Sequence, residues 1–260
     1  MTPVPEQLME ALRGDRARRP RRDDTTAAGL RALLEDHAYD ILGAQRLDAP
    51  LIVSGARLRP SVTTRDLADA TLSRSRGVIV ALVTRLLVAG VHVGDPYDDA
   101  LCAWRADRPG DPLLETVDHL DAELAARLRA DVTAHVTTLR AVLGEIPSAW
   151  RPRSAQRARQ VLGGGNLELR DVVDLIVGSL HGESANVALV DVTTSPLGVH
   201  SERLMRFHAL VQTLRTSVVP LRTSILSTAT AEVWTHDVTP ELLLRGVDDV
   251  VTAMRGEVAA

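Results

Sequence analysis

The apolar residues change their period once, near Pro147, and this restricts the chain more than any other feature. Before that point they recur at helical spacing, as in Leu30, Leu33, Leu34, His37, Ala38, Ile41 and Leu42, or, in a helix from about Leu120 to Leu143, as Leu120, Leu124, Leu128, Val132, Leu139 and Val142 on one side. The segment Leu67 to Val91 is almost wholly apolar between Val78 and Ala89 and reads as a buried central helix, and short helices are expected around Ala100 after the break at Gly94-Asp95-Pro96. Beyond Pro147 come short β-branched runs bounded by glycine, proline or serine: Leu167 to Leu169, Val172 to Val177, Val187 to Val192, Thr223 to Leu226 and Val233 to His236. A helix over Glu202 to Arg215 and a last one opening at Thr239-Pro240-Glu241 separate and follow them. The expected fold is therefore α/β, a mixed sheet flanked by helices and preceded by a mostly helical N-terminal half. Residues 1–25, with Pro3, Pro5, Pro20 and an arginine cluster, read as a disordered, solvated arm; 26–147 form the helical region and 148–260 the sheet-bearing region.

Composition removes several functions. All 30 basic residues are arginine, so chemistry that needs a lysine must find a substitute. Six aromatics, Trp104, Trp150, Trp234, Tyr39, Tyr97 and Phe207, are too few and scattered for a base-stacking platform. The stretch Gly77 to Gly94 is broken by Thr84 and Arg85 and is too short to span a bilayer, so no membrane association is expected. With Cys102 as the only cysteine and no secretory signal at the start, the expected compartment is cytoplasmic. Gly163-Gly164-Gly165 precedes a strand instead of a helix and reads as a turn, not a phosphate loop.

Two of the apolar runs carry a carboxylate in their interior. Asp174 lies in Val172-Val173-Asp174-Leu175-Ile176-Val177 and Asp191 in Val187-Ala188-Leu189-Val190-Asp191-Val192-Thr193. A charge among such neighbours is costly unless it is paired or ligates a cation. A hairpin centred on Gly182-Glu183 pairs residues whose numbers sum to 365, which sets Asp174 opposite Asp191. Two like charges so placed repel, and a divalent metal or a buried arginine between them would relieve this. Strand alternation puts Thr193 on the face of Asp191. The bland reading has Asp174 held by turn backbone and Asp191 paired with Arg206 or Arg222.

An Asp, a gap of 15 to 20 residues, an Asp-x-Thr and then an amphipathic helix resembles the RecB-like branch of the PD-(D/E)XK nuclease superfamily. The matching residues are Asp174, then Val190-Asp191-Val192-Thr193-Thr194, then the helix Arg203 to Arg215; together the resemblance spans Trp150 to Arg255. It implies that Asp174 and Asp191 hold Mg²⁺ or Mn²⁺ and that DNA is the partner, with Arg203, Arg206 and His208 as candidate DNA contacts. In that family a lysine follows the second acid by two residues, orienting the attacking water and stabilising the phosphate. Thr193 stands there, and a hydroxyl supplies no positive charge. Arg203, Arg206 or Arg222 are candidate substitutes. Glu35, His37, Glu123 and His135 are candidates for a further metal ligand from an upstream helix, although a lone helical histidine more often serves the core.

Three functions follow: a degenerate nuclease that binds DNA or a partner with weak or no cleavage, an active Mg²⁺-dependent DNA nuclease in which an arginine replaces the lysine, and a non-enzymatic scaffold that binds a protein partner through its helical half.

Overall fold

The computed structural model describes residues 24–43, 48–58, 67–178 and 187–258, together with Leu8 and Leu12. In chain order these form α1 (Asp24–Leu42), β1 (Leu51–Ser54), α2 (Leu67–Val88), α3 (Pro96–Asp107), α4 (Pro112–Asp118), α5 (Ala122–Leu143), β2 (Arg153–Leu162), β3 (Leu167–Val177), β4 (Ala188–Thr193), α6 (Val199–Thr216), β5 (Arg222–Ser227), β6 (Val233–Asp237) and α7 (Pro240–Val258). Helix starts follow local chemistry. Asp95, Asp111 and Asp121 each cap a helix by accepting from backbone N–H groups of its first turn, and proline occupies the first position of α3 and α4.

The fold is α/β, with one mixed sheet between two layers of helices. Its strand order is β1-β3-β4-β5-β6, and β2 pairs with β3. β3 is the spine. β2 runs antiparallel along it from Leu162 opposite Leu167 to Arg153 opposite Ile176. The other edge is shared by β1, parallel to Leu167 through Arg170, and β4, antiparallel to Leu175 through Val177. β4 and β5 are parallel, so α6 between them is a crossover helix, while β6 returns antiparallel on β5.

The helical first half is divided between the two faces. Helices α2 to α5 pack Ile79, Val83, Trp104, Leu128 and Val136 against Leu175, Val177, Ala188, Val190 and Leu226. On the opposite face, Leu30, Leu34 and Ala38 of α1 join Phe207 and Leu210 of α6 and Leu243 and Val250 of α7 over Val53, Leu162, Leu167 and Leu169. α6 is buried on nearly every side from Leu204 to Leu214, which is why it carries so little amphipathic signal.

Four expectations are corrected. A strand, β1, lies inside the region expected to be helical; its Leu-Ile-Val-Ser is too short to show a period of its own. The two runs Leu167 to Leu169 and Val172 to Val177 form one strand, because Arg170 and Val172 face outward and Asp171 is satisfied inside. β2 went unread because Arg153-Ser-Ala-Gln-Arg-Ala-Arg-Gln is polar, which an edge strand tolerates. In the expected arm, Leu8 and Leu12 are buried in the core and α1 already begins at Asp24; the rest of residues 1–25 lies outside the described residues, as does the link around Gly182-Glu183. Among the described residues no helix is long and apolar enough to cross a membrane.

Candidate functional site

The site grows from the register of β3 on β4. The pairs Leu175–Val190, Ile176–Leu189 and Val177–Ala188 each sum to 365, and the same offset, carried one step beyond the end of the ladder, sets Asp174 opposite Asp191. The two carboxyl groups interact electrostatically, and Asp174 Oδ2 accepts from Val192 N at 2.9 Å. Burial and the neighbouring Asp191 charge push the Asp174 carboxyl well above the usual carboxylate range. Among the described residues the two arginines expected beside the pair are bound by other acids. Arg206 is held by Asp249 at 2.7 Å and Arg222 by Asp237 at 2.7 Å.

The positive charge comes from α6. His208, 1% exposed, places Nδ1 2.8 Å from Asp171 Oδ1 and Nε2 3.7 Å from Asp191 Oδ1. Burial works against an imidazolium, but Asp171 and Asp191 outweigh it and raise its pKa to about 10. Nε2 is buried without a hydrogen-bond partner. Asp171, Asp174, Asp191 and His208 thus form one buried polar cluster on the α6 face of the sheet, in which a single imidazolium faces three carboxyl groups.

Sequence reasoning missed Asp171. Strict alternation puts it on the opposite face from Asp174, three residues away. Leu167 and Leu169 pack toward α6 and α7 while Leu175 and Val177, of the same parity, pack toward α2 and α5, although the register of β3 on β2 does not change. Both aspartates act on His208. The available signal was a third acid, Asp171, within an otherwise apolar strand.

The other expected residues divide. Thr193 Oγ1 accepts from Ser195 N at 3.2 Å, closing the turn after β4. Arg203 and Arg206 are both drawn to Asp249 of α7, at 3.6 and 2.7 Å, away from the aspartate pair. His208 belongs to the acidic cluster instead of an exposed surface. Among the upstream candidates, His135 alone is linked to β4: its Nδ1 meets Thr228 Oγ1 at 2.8 Å, and Thr228 Oγ1 donates to Thr193 O at 3.1 Å. Burial, reinforced by Arg76, holds the His135 pKa below its ordinary value. Gly163 to Gly165 form the tight β2–β3 turn, all three at positive φ.

Among the described residues no group of three or more His, Cys, Asp or Glu side chains is arranged to hold a metal ion. A cation at the aspartate pair would have two protein ligands. That suits magnesium, which takes one or two carboxylates and completes its shell with water and phosphate oxygens.

No protein-family model matches the chain, and no curated protein matches it. Among solved structures it is similar to that of SSO0001, at 8% identity and a TM-score of 0.32, over 85% of this chain and 84% of the other.

Proposed function

We propose that the chain is a nucleic-acid-acting protein of the RecB-like PD-(D/E)XK nuclease type whose site is degenerate, binding DNA with weak or no cleavage. The observation that carries this reading is the placing of Asp174 and Asp191 on neighbouring strands at one register, backed by a crossover helix that points a buried histidine at Asp191. A structural pair gains little from holding two like charges side by side; a divalent cation gives the arrangement a use. Asp174 and Asp191 would hold Mg²⁺ or Mn²⁺, which would polarise a phosphodiester oxygen and lower the pKa of a bound water.

The chain's own residues set the rest. His208 keeps a positive charge beside Asp191, and Asp171 fixes its ring through Nδ1, so the acidic cluster is preorganised before any ligand arrives. Thr193 can hydrogen-bond a water but brings no charge to a phosphate. Arg203 and Arg206 are engaged by Asp249, so neither stands in for the lysine.

The test is Thr193→Lys. Such a contact is worth about 3–4 kcal/mol to a transition state, or about 10²–10³ in rate. The natural protein is expected to cleave linear DNA weakly or not at all in Mn²⁺, and the lysine variant measurably faster. Robust cleavage by the natural protein, slowed by Thr193→Lys, would contradict a degenerate site.

A further inference from the structure

The outer face of the β2–β3 ribbon carries a set of arginines that the aspartate cluster does not use. Arg159 and Arg170 sit directly opposite one another in the antiparallel register, and Arg157 lies opposite Val172, one step further along the same face. Two like charges facing each other across a hairpin destabilise it. Here Glu168 lies on that face, only 1% exposed, and binds both: Arg159 approaches through Nε at 2.8 Å and Nη2 at 2.9 Å, Arg170 through Nε at 2.5 Å. The two arginines hold the Glu168 carboxyl at a pKa of about 2, so it stays ionised.

The geometry is that of a braced pair. Arg159 spends two of its five N–H groups on Glu168 and Arg170 one, while their side chains remain 67% and 55% exposed. Arg157 is exposed and makes no ion pair among the described residues. Counting Glu168 against the three arginines leaves two positive charges on a short stretch of ribbon, in a chain whose net charge is −4. Val161 and Val172, 45% and 51% exposed, flank them on the same face. Fixed guanidinium groups beside exposed apolar carbons match a chain that alternates charged phosphate with sugar. An acidic protein surface offers carboxylates without that repeat.

We infer that the outer face of the β2–β3 ribbon, through Arg157, Arg159 and Arg170, binds the phosphodiester backbone of nucleic acid. This rests on the reading of the chain as nucleic-acid-acting and gives that reading a docking surface distinct from Arg203 and Arg206. Contact with the backbone is sequence-independent and releases counterions, so each phosphate contact contributes about 0.7 to the slope of log affinity against log salt for a single strand and about 0.9 for a duplex.

The experiment measures binding of the full chain, in EDTA, to a fluorescein-labelled single-stranded deoxyoligonucleotide and to its duplex over a salt series. Arg157→Glu alters a residue outside the Glu168 bracing. The triple variant Glu168→Gln, Arg159→Gln, Arg170→Gln removes the braced pair without leaving a buried charge, and thermal melts check that both variants fold. The expected result is at least a tenfold loss of affinity in each variant at low salt, with a slope shallower by about one unit for each arginine removed. Wild-type affinity and slope in both variants, with DNA still bound by the natural protein, would overturn the ribbon site and leave the nucleic-acid reading standing. Absence of binding by the natural protein at any salt would overturn the inference, and the metal site would still be judged separately by its response to Mn²⁺.

Discussion

His208 Nδ1 donates to Asp171 Oδ1 across 2.8 Å, joining the middle of α6 to the middle of β3 with both side chains 2% exposed. The bond ties a helix that is buried all round to the one strand that touches three others, so the acidic cluster is part of the fold's support as well as a candidate site.

Asp171→Ala leaves a buried imidazole without its main partner. Removing one member of a buried ion pair costs about 3–5 kcal/mol. Urea denaturation at neutral pH is expected to show a midpoint lowered accordingly, and an unchanged midpoint would mean that His208 is not held as an imidazolium.

The same pair sets an alkaline limit on stability. The folded pKa of His208, about 10, lies above its ordinary value near 6.5. Its contribution is therefore complete below about 6.5 and is lost as pH rises toward 10. In EDTA, the natural protein should lose stability across that window, and His208→Gln should flatten the profile there.

Glu168 gives the acid counterpart. Arg159 and Arg170 lower its pKa from 4.5 to about 2, so its contribution is present above about 4.5 and is lost as pH falls toward 2. Melting temperatures of Glu168→Gln combined with Arg159→Gln and Arg170→Gln should fall less than those of the natural protein between pH 4.5 and 2. A matching fall would mean that the bracing does not stabilise the ribbon.

Where α7 crosses α6, an added Cβ at Gly246 would lie 3.1 Å from Arg206 O and 3.4 Å from Leu210 Cβ. The first partner is backbone and cannot turn aside. Gly246→Val should separate the two helices and destabilise the protein by about 1–3 kcal/mol, measured by urea denaturation. A neutral substitution would place the α6–α7 packing elsewhere.

Much of this was legible in the chain. The hairpin sum of 365 gave the β3–β4 register, because two apolar strands with a short link admit few pairings, and it set Asp174 beside Asp191. What was not legible depends on tertiary partners. The contact that joins Asp171 to His208 leaves no trace in local pattern. Arg203 and Arg206 looked free in sequence, yet Asp249, more than 40 residues later, claims both. β2 is an edge strand whose polar residues hide its period, and the bracing of Arg159 and Arg170 by Glu168 appears only once β2 is laid on β3.

A divalent cation site at Asp174 and Asp191 is open to scanning calorimetry of the natural protein and Asp174→Asn with and without millimolar Mn²⁺. A cation that binds only the folded state raises its stability by mass action, while the asparagine removes both the repulsion and a ligand. Mn²⁺ is expected to raise the melting temperature of the natural protein, and Asp174→Asn to melt higher than the metal-free natural protein without responding to Mn²⁺. No shift in the natural protein, or an equal shift in both, would contradict it.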